Sequence, residues 1–226
     1  MKNILFTLAL LVSFSSFSQT DNLEDGWKRI YVEELGSFDL PPTMEIQEGL
    51  AKKITVISEN IFNYPATDII AQQKHYNKDV ENVLSDDFDV EKGAIGKGFE
   101  TYARLMISTV SGAGVKLFCE SSPLTATDLI LGNTEIKKQY EAEMVSLNLK
   151  IIRWLPIEFK KINGMCVLHI SYIRSGFKSN VKVDSYGFFN NDLQHNLTLS
   201  YRVNEENIWK KDFEKILNSF TITNVR

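Results

Sequence analysis

Between Trp154 and Val203 the chain alternates β-like runs with short clusters of Asn, Gly, Ser and Asp, an order that suits an antiparallel meander. Trp154 to Ile162 meets Met165 to Arg174 across Asn163-Gly164, a pair that tolerates positive φ at both central positions of a two-residue hairpin. Ser175-Gly176 to Asn180 then turns the chain into Val181 to Phe189, and Asn190-Asn191-Asp192 turns it into His195 to Val203. In that last run Leu197, Leu199, Tyr201 and Val203 alternate with Asn196, Thr198, Ser200 and Arg202, so one face is buried and the other wet. A sheet of this kind needs a cover for its apolar side.

Two helices can supply it. From Ala126 to Leu147 the residues Leu129, Ile136, Tyr140, Met144 and Leu147 recur at helical spacing, with Thr125 or Thr127 as cap and a weak point at Gly132-Asn133, where Asn133 is placed to restart the helix as a second cap. From about Glu205 to Ser219, Trp209, Phe213, Ile216 and Phe220 mark one apolar stripe, with Asn204 as the expected cap. Thr221-Ile222-Thr223 can add a terminal strand. Earlier in the chain Trp27 to Glu33 reads as a strand, Pro41-Pro42 ends the segment from Gly36, and Lys53 to Ser58 and Asp68 to His75 carry β-like runs. Tyr102 to Thr109 reads as a buried strand, turning through Ser111 to Gly114 into Val115–Cys119. The expected class is α+β, an antiparallel β-sheet sandwiched by helices.

The first 18 residues have a different character. Lys2 precedes the apolar run Ile4 to Val12, and small hydroxylic residues lead to Ser16-Phe17-Ser18, the order of a cleavable signal peptide (residues 1–18). The run is too short to cross a bilayer core of about 30 Å. The cleavage point carries no cysteine for a lipid anchor. Cleavage after Ser18 would leave 208 of 226 residues and move the net charge from −4 to −5. That length, without a Pro/Gly-rich linker or repeat, reads as a single domain over residues 19–226. The lysine pairs are scattered and flanked by acids, so no nucleic-acid or anionic-membrane footprint is expected. In an oxidising compartment Cys119 and Cys166 are candidates for one disulfide, which would contribute roughly 3–4 kcal/mol by chain entropy. Two buried thiols in strands are the alternative.

The segment GSFDLPPTMEIQEG (Gly36 to Gly49) resembles the opening strand, proline stop and second strand of the PsbP-like family, which takes in DcrB-like bacterial domains. WKKDFEKILNSFTI (Trp209 to Ile222) is similar to that family's closing helix and its step into the last strand, and LTLSYRVNE (Leu197 to Glu205) fits between. The resemblance implies an antiparallel sheet between helices and a non-catalytic role. Family members include an extrinsic photosystem II subunit, a nuclear Ran-binding protein and bacterial envelope proteins. No site residue transfers with it.

Candidate chemistry is sparse. His75, His169 and His195 have no zinc-like spacing, and His169 alternates with Val167 and Ser171 as a strand histidine would. Gly93 to Gly98 lacks the spacing of a phosphate loop. Asp86, Asp87, Asp89 and Glu91 fail the calcium-loop pattern. Cys119 or Cys166 with His169 would make a thiol catalyst only if a thiolate were favoured in an apolar strand. No metal or nucleotide cofactor is expected. Tyr172, Arg174, Tyr186, Phe188 and Arg202 lie on neighbouring strands. An exposed face gathering them would be a partner-binding surface, Tyr and Arg being enriched at interface hot spots; a covered face would make them core. The expected function is an exported, non-catalytic binding or accessory protein of the cell envelope, acting on an unknown protein partner. The alternative is a secreted enzyme or small-ligand carrier with a site assembled from scattered residues.

Overall fold

The computed structural model describes residues 23–33, 35–49, 51–53, 68–78, 80, 100–111, 126–176 and 178–223. Residues 1–18, read as a signal peptide, most of the run from Lys53 to Ser58, the segments at 86–91 and 93–98, and Cys119 lie outside them.

The meander forms as its turns require. β7 (Glu158–Ile162) and β8 (Met165–Arg174) pair antiparallel with Ile162 opposite Met165. Asn163 and Gly164 between them have φ of 49° and 81°. β9 (Val181–Asn190) and β10 (Leu193–Arg202) follow, joined by a two-residue turn in which Asn191 has φ 59°. The run expected from Trp154 is two strands. β6 (Ile151–Trp154) pairs with the far half of β8 and β7 with the near half. Pro156 lies between them, where proline cannot donate to a ladder, and the interruption falls at the sheet edge.

On the other side of β10 the sheet continues through β5 (Ala103–Ser111), β4 (Ile69–Gln73) and β3 (Met44–Ile46), giving the order β3-β4-β5-β10-β9-β8-β6 with β7 also on β8. A second sheet joins β1 (Lys28–Val32), β2 (Gly36–Leu40) and β11 (Thr221–Ile222). β2 ends at Pro41, as expected. A β-carbon on Gly36 would collide with the Thr221 carbonyl, so close approach of β2 and β11 demands glycine there.

Helix α1 (Ala126–Ser146) covers one face of the large sheet and α2 (Glu206–Ser219), with the small sheet, covers the other. The α2 side holds the larger core, in which Phe38, Leu105, Ile107, Leu197, Phe188, Ile216 and Phe220 are buried. The α1 side packs Met144, Ile170, Tyr172, Val181 and Val183. The layers are helix, sheet, helix, an α+β sandwich.

Three local details differ from the sequence reading. Asn133 does not restart α1; its Oδ1 accepts from Trp154 Nε1 at 2.9 Å and from the Ile157 amide at 3.1 Å, tying the helix to the break between β6 and β7. Asn204 does not cap α2, because Val203–Glu205 is a 3-10 turn and Glu205 occupies the cap position. Lys53 is helical rather than β-like.

Candidate functional site

Strand pairing brings one ionisable cluster together. Glu158 on β7 is opposite His169 on β8, His169 is opposite Tyr186 on β9, and Ser171 is opposite Asp184. Alternation then places Glu158, His169 and Asp184 on the α2 side of the sheet. His169 is 8% exposed. Its Nδ1 lies 2.8 Å from Glu158 Oε1 and its Nε2 3.0 Å from Asp184 Oδ1. The ring stacks on Tyr186 with centroids 4.6 Å apart and planes 6° apart.

Lysines surround this clamp. Lys160 Nζ is 2.7 Å from Glu158 Oε1, and Lys182 Nζ is 3.4 Å from Asp184 Oδ2 and 5.9 Å from the Tyr201 ring centre. Helix α2 contributes Lys210, Phe213, Glu214 and Leu217 to the opposite wall of a cleft of about 230 Å³. The hydrogen bond from Lys160, helped by His169, holds the Glu158 carboxyl below its usual range. Burial pushes Asp184 up, but hydrogen bonds from His169 and Ser171 and the charge of Lys182 together bring it below its usual range. Tyr201 is pushed up to about 12 by burial and by the Glu206 and Asp184 carboxylates, and Tyr186 is raised by burial and by Asp184 and Glu158. Both phenols are therefore neutral donors at ordinary pH.

Both ring nitrogens of His169 are taken up by carboxylates, one from each neighbouring strand. In this arrangement neither nitrogen faces a nucleophile: Ser171 bonds to Asp184, not to the ring. A Ser-His pair needs the hydroxyl on the imidazole itself. The cleft instead offers fixed charges of both signs above an apolar floor at Leu199 on β10. Its volume is below the roughly 300–1,000 Å³ of small-molecule pockets and suits one side chain or a small ion. Among the described residues no group of three or more His, Cys, Asp and Glu could hold a metal ion.

The residues read as a partner surface do not share a face. Tyr172, Arg174 and Arg202 belong to the α1 side, and Tyr186 and Phe188 to the α2 side. Tyr172 is 5% exposed and stacks on Trp154 at 5.8 Å, with Tyr140 edge-on at 5.5 Å. Arg202 is buried, donating to Glu205 Oε1 at 2.9 Å and the Glu100 carbonyl at 2.8 Å. Glu205 Oε2 also accepts from Trp209 Nε1 and the Tyr102 amide. The arginine thus braces the start of α2. Arg174 is half-buried, with Nη1 on the Ser175 carbonyl. Cys166 is buried on β8, while Cys119 lies outside the described residues. His195 is a core histidine with Thr109 Oγ1 3.0 Å from its Nδ1. The His169 clamp was missed because the histidine was weighed against cysteines and other histidines, not against a carboxylate across the hairpin. Counting outward from Asn163-Gly164 pairs it with Glu158.

A solution structure of cyanobacterial PsbP (CyanoP) from Synechocystis sp. PCC 6803 superposes with a TM-score of 0.51 at 12% identity, covering 89% of this chain and 95% of that one. The fold is PsbP-like. A protein of unknown function from Pseudomonas aeruginosa matches at 7% identity over 86% of this chain and 96% of that one, with a TM-score of 0.36, too low to carry an argument. No family model and no curated protein matches. The PsbP-like likeness, at this identity, concerns architecture alone. No helix among the described residues is long and apolar enough to cross a membrane.

Proposed function

We propose that this protein is a member of the PsbP-like family, exported by a signal peptide cleaved after Ser18. In this reading residues 19–226 act as one non-catalytic accessory domain of the cell envelope. The observation that carries the reading is the closed His169: both nitrogens are held by carboxylates, so the cleft is equipped to bind charge rather than to move protons. Its lysines and carboxylates alternate around an apolar floor, which fits a charged side chain presented by a protein partner. The cleft beside α2, not a Tyr/Arg patch, is the contact. A Cys119–Cys166 disulfide belongs to the same proposal, since an oxidising compartment favours it.

Tagged mature protein, used to capture proteins from the envelope extract of its own organism, tests this. The expected result is a specific partner whose capture falls when Lys182→Glu reverses one charge of the cleft. Capture unaffected by that change, or hydrolysis in a substrate panel that His169→Gln abolishes, overturns the reading. The second outcome would favour the enzyme or small-ligand alternative.

A further inference from the structure

On the opposite face of the large sheet, away from the cleft, a second polar cluster occupies β4, β5 and the end of β8. Gln72 is opposite Arg104, and Arg104 is opposite Ser200. Tyr102, two residues before Arg104, shares its face. The Tyr102 hydroxyl lies 3.5 Å from Arg174 Nη2 and 3.5 Å from Ser200 Oγ, both at the outer limit of hydrogen bonding. Arg104 Nε is buried with no hydrogen-bond partner, and so is Gln72 Oε1 on a side chain 3% exposed.

A buried guanidinium N–H with no acceptor is costly, as is a buried amide oxygen with no donor. Here the two belong to cross-strand neighbours, one lacking an acceptor and the other a donor. Two guanidiniums around one phenol also make the place positive. Burial pushes Tyr102 up, yet Arg174 and Arg104 outweigh it and the phenol ends below its usual value. Glu205, which accepts from the Tyr102 amide, is already paired with Arg202. Water can bridge a donor to an acceptor, but it brings no negative charge to the two guanidiniums.

We propose that Arg104, Arg174 and Tyr102 form a binding site for a small hydroxylated oxyanion, hydrogen phosphate or a hydroxycarboxylate. Its oxygens accept from Arg104 Nε and Arg174 Nη2, and its hydroxyl donates to Gln72 Oε1. The site goes beyond the proposed partner contact and does not depend on it.

Calorimetric titration of the full chain with sodium phosphate, sodium glycolate and sodium acetate, at ionic strength fixed with sodium chloride, tests the site. Saturable binding of phosphate or glycolate is expected, with acetate weaker because it lacks the hydroxyl. The preferred probe tells which of the two sources the site suits. Arg104→Gln and Arg174→Gln should each weaken binding by about tenfold or more, while Lys211→Gln, at an exposed position of α2 on the other face, should not. If Arg104→Gln fails to fold, Arg174→Gln, at the half-buried strand end, decides. Absence of binding at millimolar probe, equal response to acetate, or binding unchanged in the variants overturns the proposal and leaves a bridging water at that position.

Discussion

Asp184 and Glu158 hold their protons less readily in the folded chain than in the unfolded one, and the sign of the consequence is fixed. A carboxyl with a depressed folded pKa contributes stability that is fully present above its unfolded value of about 4 and is lost as pH falls through the lower folded value. Denaturant melts on the acid side of about pH 4 should therefore show falling stability, with a shallower fall in Asp184→Asn, which has no such proton to gain. An identical slope in the variant would show that other carboxyls govern acid unfolding. Arg202 gives a second test. Arg202→Met strands Glu205, itself 7% exposed, without its counter-charge and should cost about 3–5 kcal/mol in a urea melt. A change under about 1 kcal/mol is what an exposed hot-spot arginine would give. From sequence, Arg202 looked like surface chemistry because alternation put it on the wet face of β10. The 3-10 turn that folds Glu205 back onto it has no periodic signal.

At the scale of elements, α2 was legible because its apolar stripe steps four, three and four and its face has one place to go. Trp209 and Phe213 are 3% and 5% exposed, so Trp209→Ala and Phe213→Ala should each cost about 3–5 kcal/mol by denaturant melt. The hairpin at Asn163-Gly164 was equally legible, since few dipeptides accept positive φ twice. What could not be read is that Asn163 has a second task. Its Nδ2 donates to the Phe220 carbonyl at 2.7 Å and the Asn218 carbonyl at 3.1 Å, closing the C-terminal end of α2 from a turn over fifty residues earlier. Asn163→Gly keeps the turn and removes only those bonds. It should cost about 1 kcal/mol and loosen the last turn of α2, seen as faster amide exchange there. The Glu158-His169 pair was within reach of the same turn arithmetic. The Asp184 arm depended on the register across the longer loop at 175–180, which sequence does not fix.

For the whole molecule, layer order followed from the sequence: a meander with one apolar side and two amphipathic helices leaves few other arrangements. The second sheet did not, because its strands come from the two ends of the chain. β2 receives β11, with Ser37 and Thr221 hydroxyls 2.9 Å apart and the Thr223 amide on the Leu35 carbonyl. Nearer the start of the described residues, Lys215 lies 3.9 Å over the Trp27 ring and 2.6 Å from Glu24. Deleting residues 221–226 should lower the thermal midpoint and leave β1 and β2 unprotected in hydrogen exchange while the meander stays protected. Uniform loss of protection would show one cooperative unit instead. A seam between residues 37 and 221 also orders events in time. The ribosome delivers β2 nearly two hundred positions before the strand that completes its pairing, so an emerging chain cannot close this sheet early. In the proposed reading as an exported protein that delay is useful, because a nascent polypeptide that stays open can be threaded through a narrow secretion channel and lock shut only on the far side.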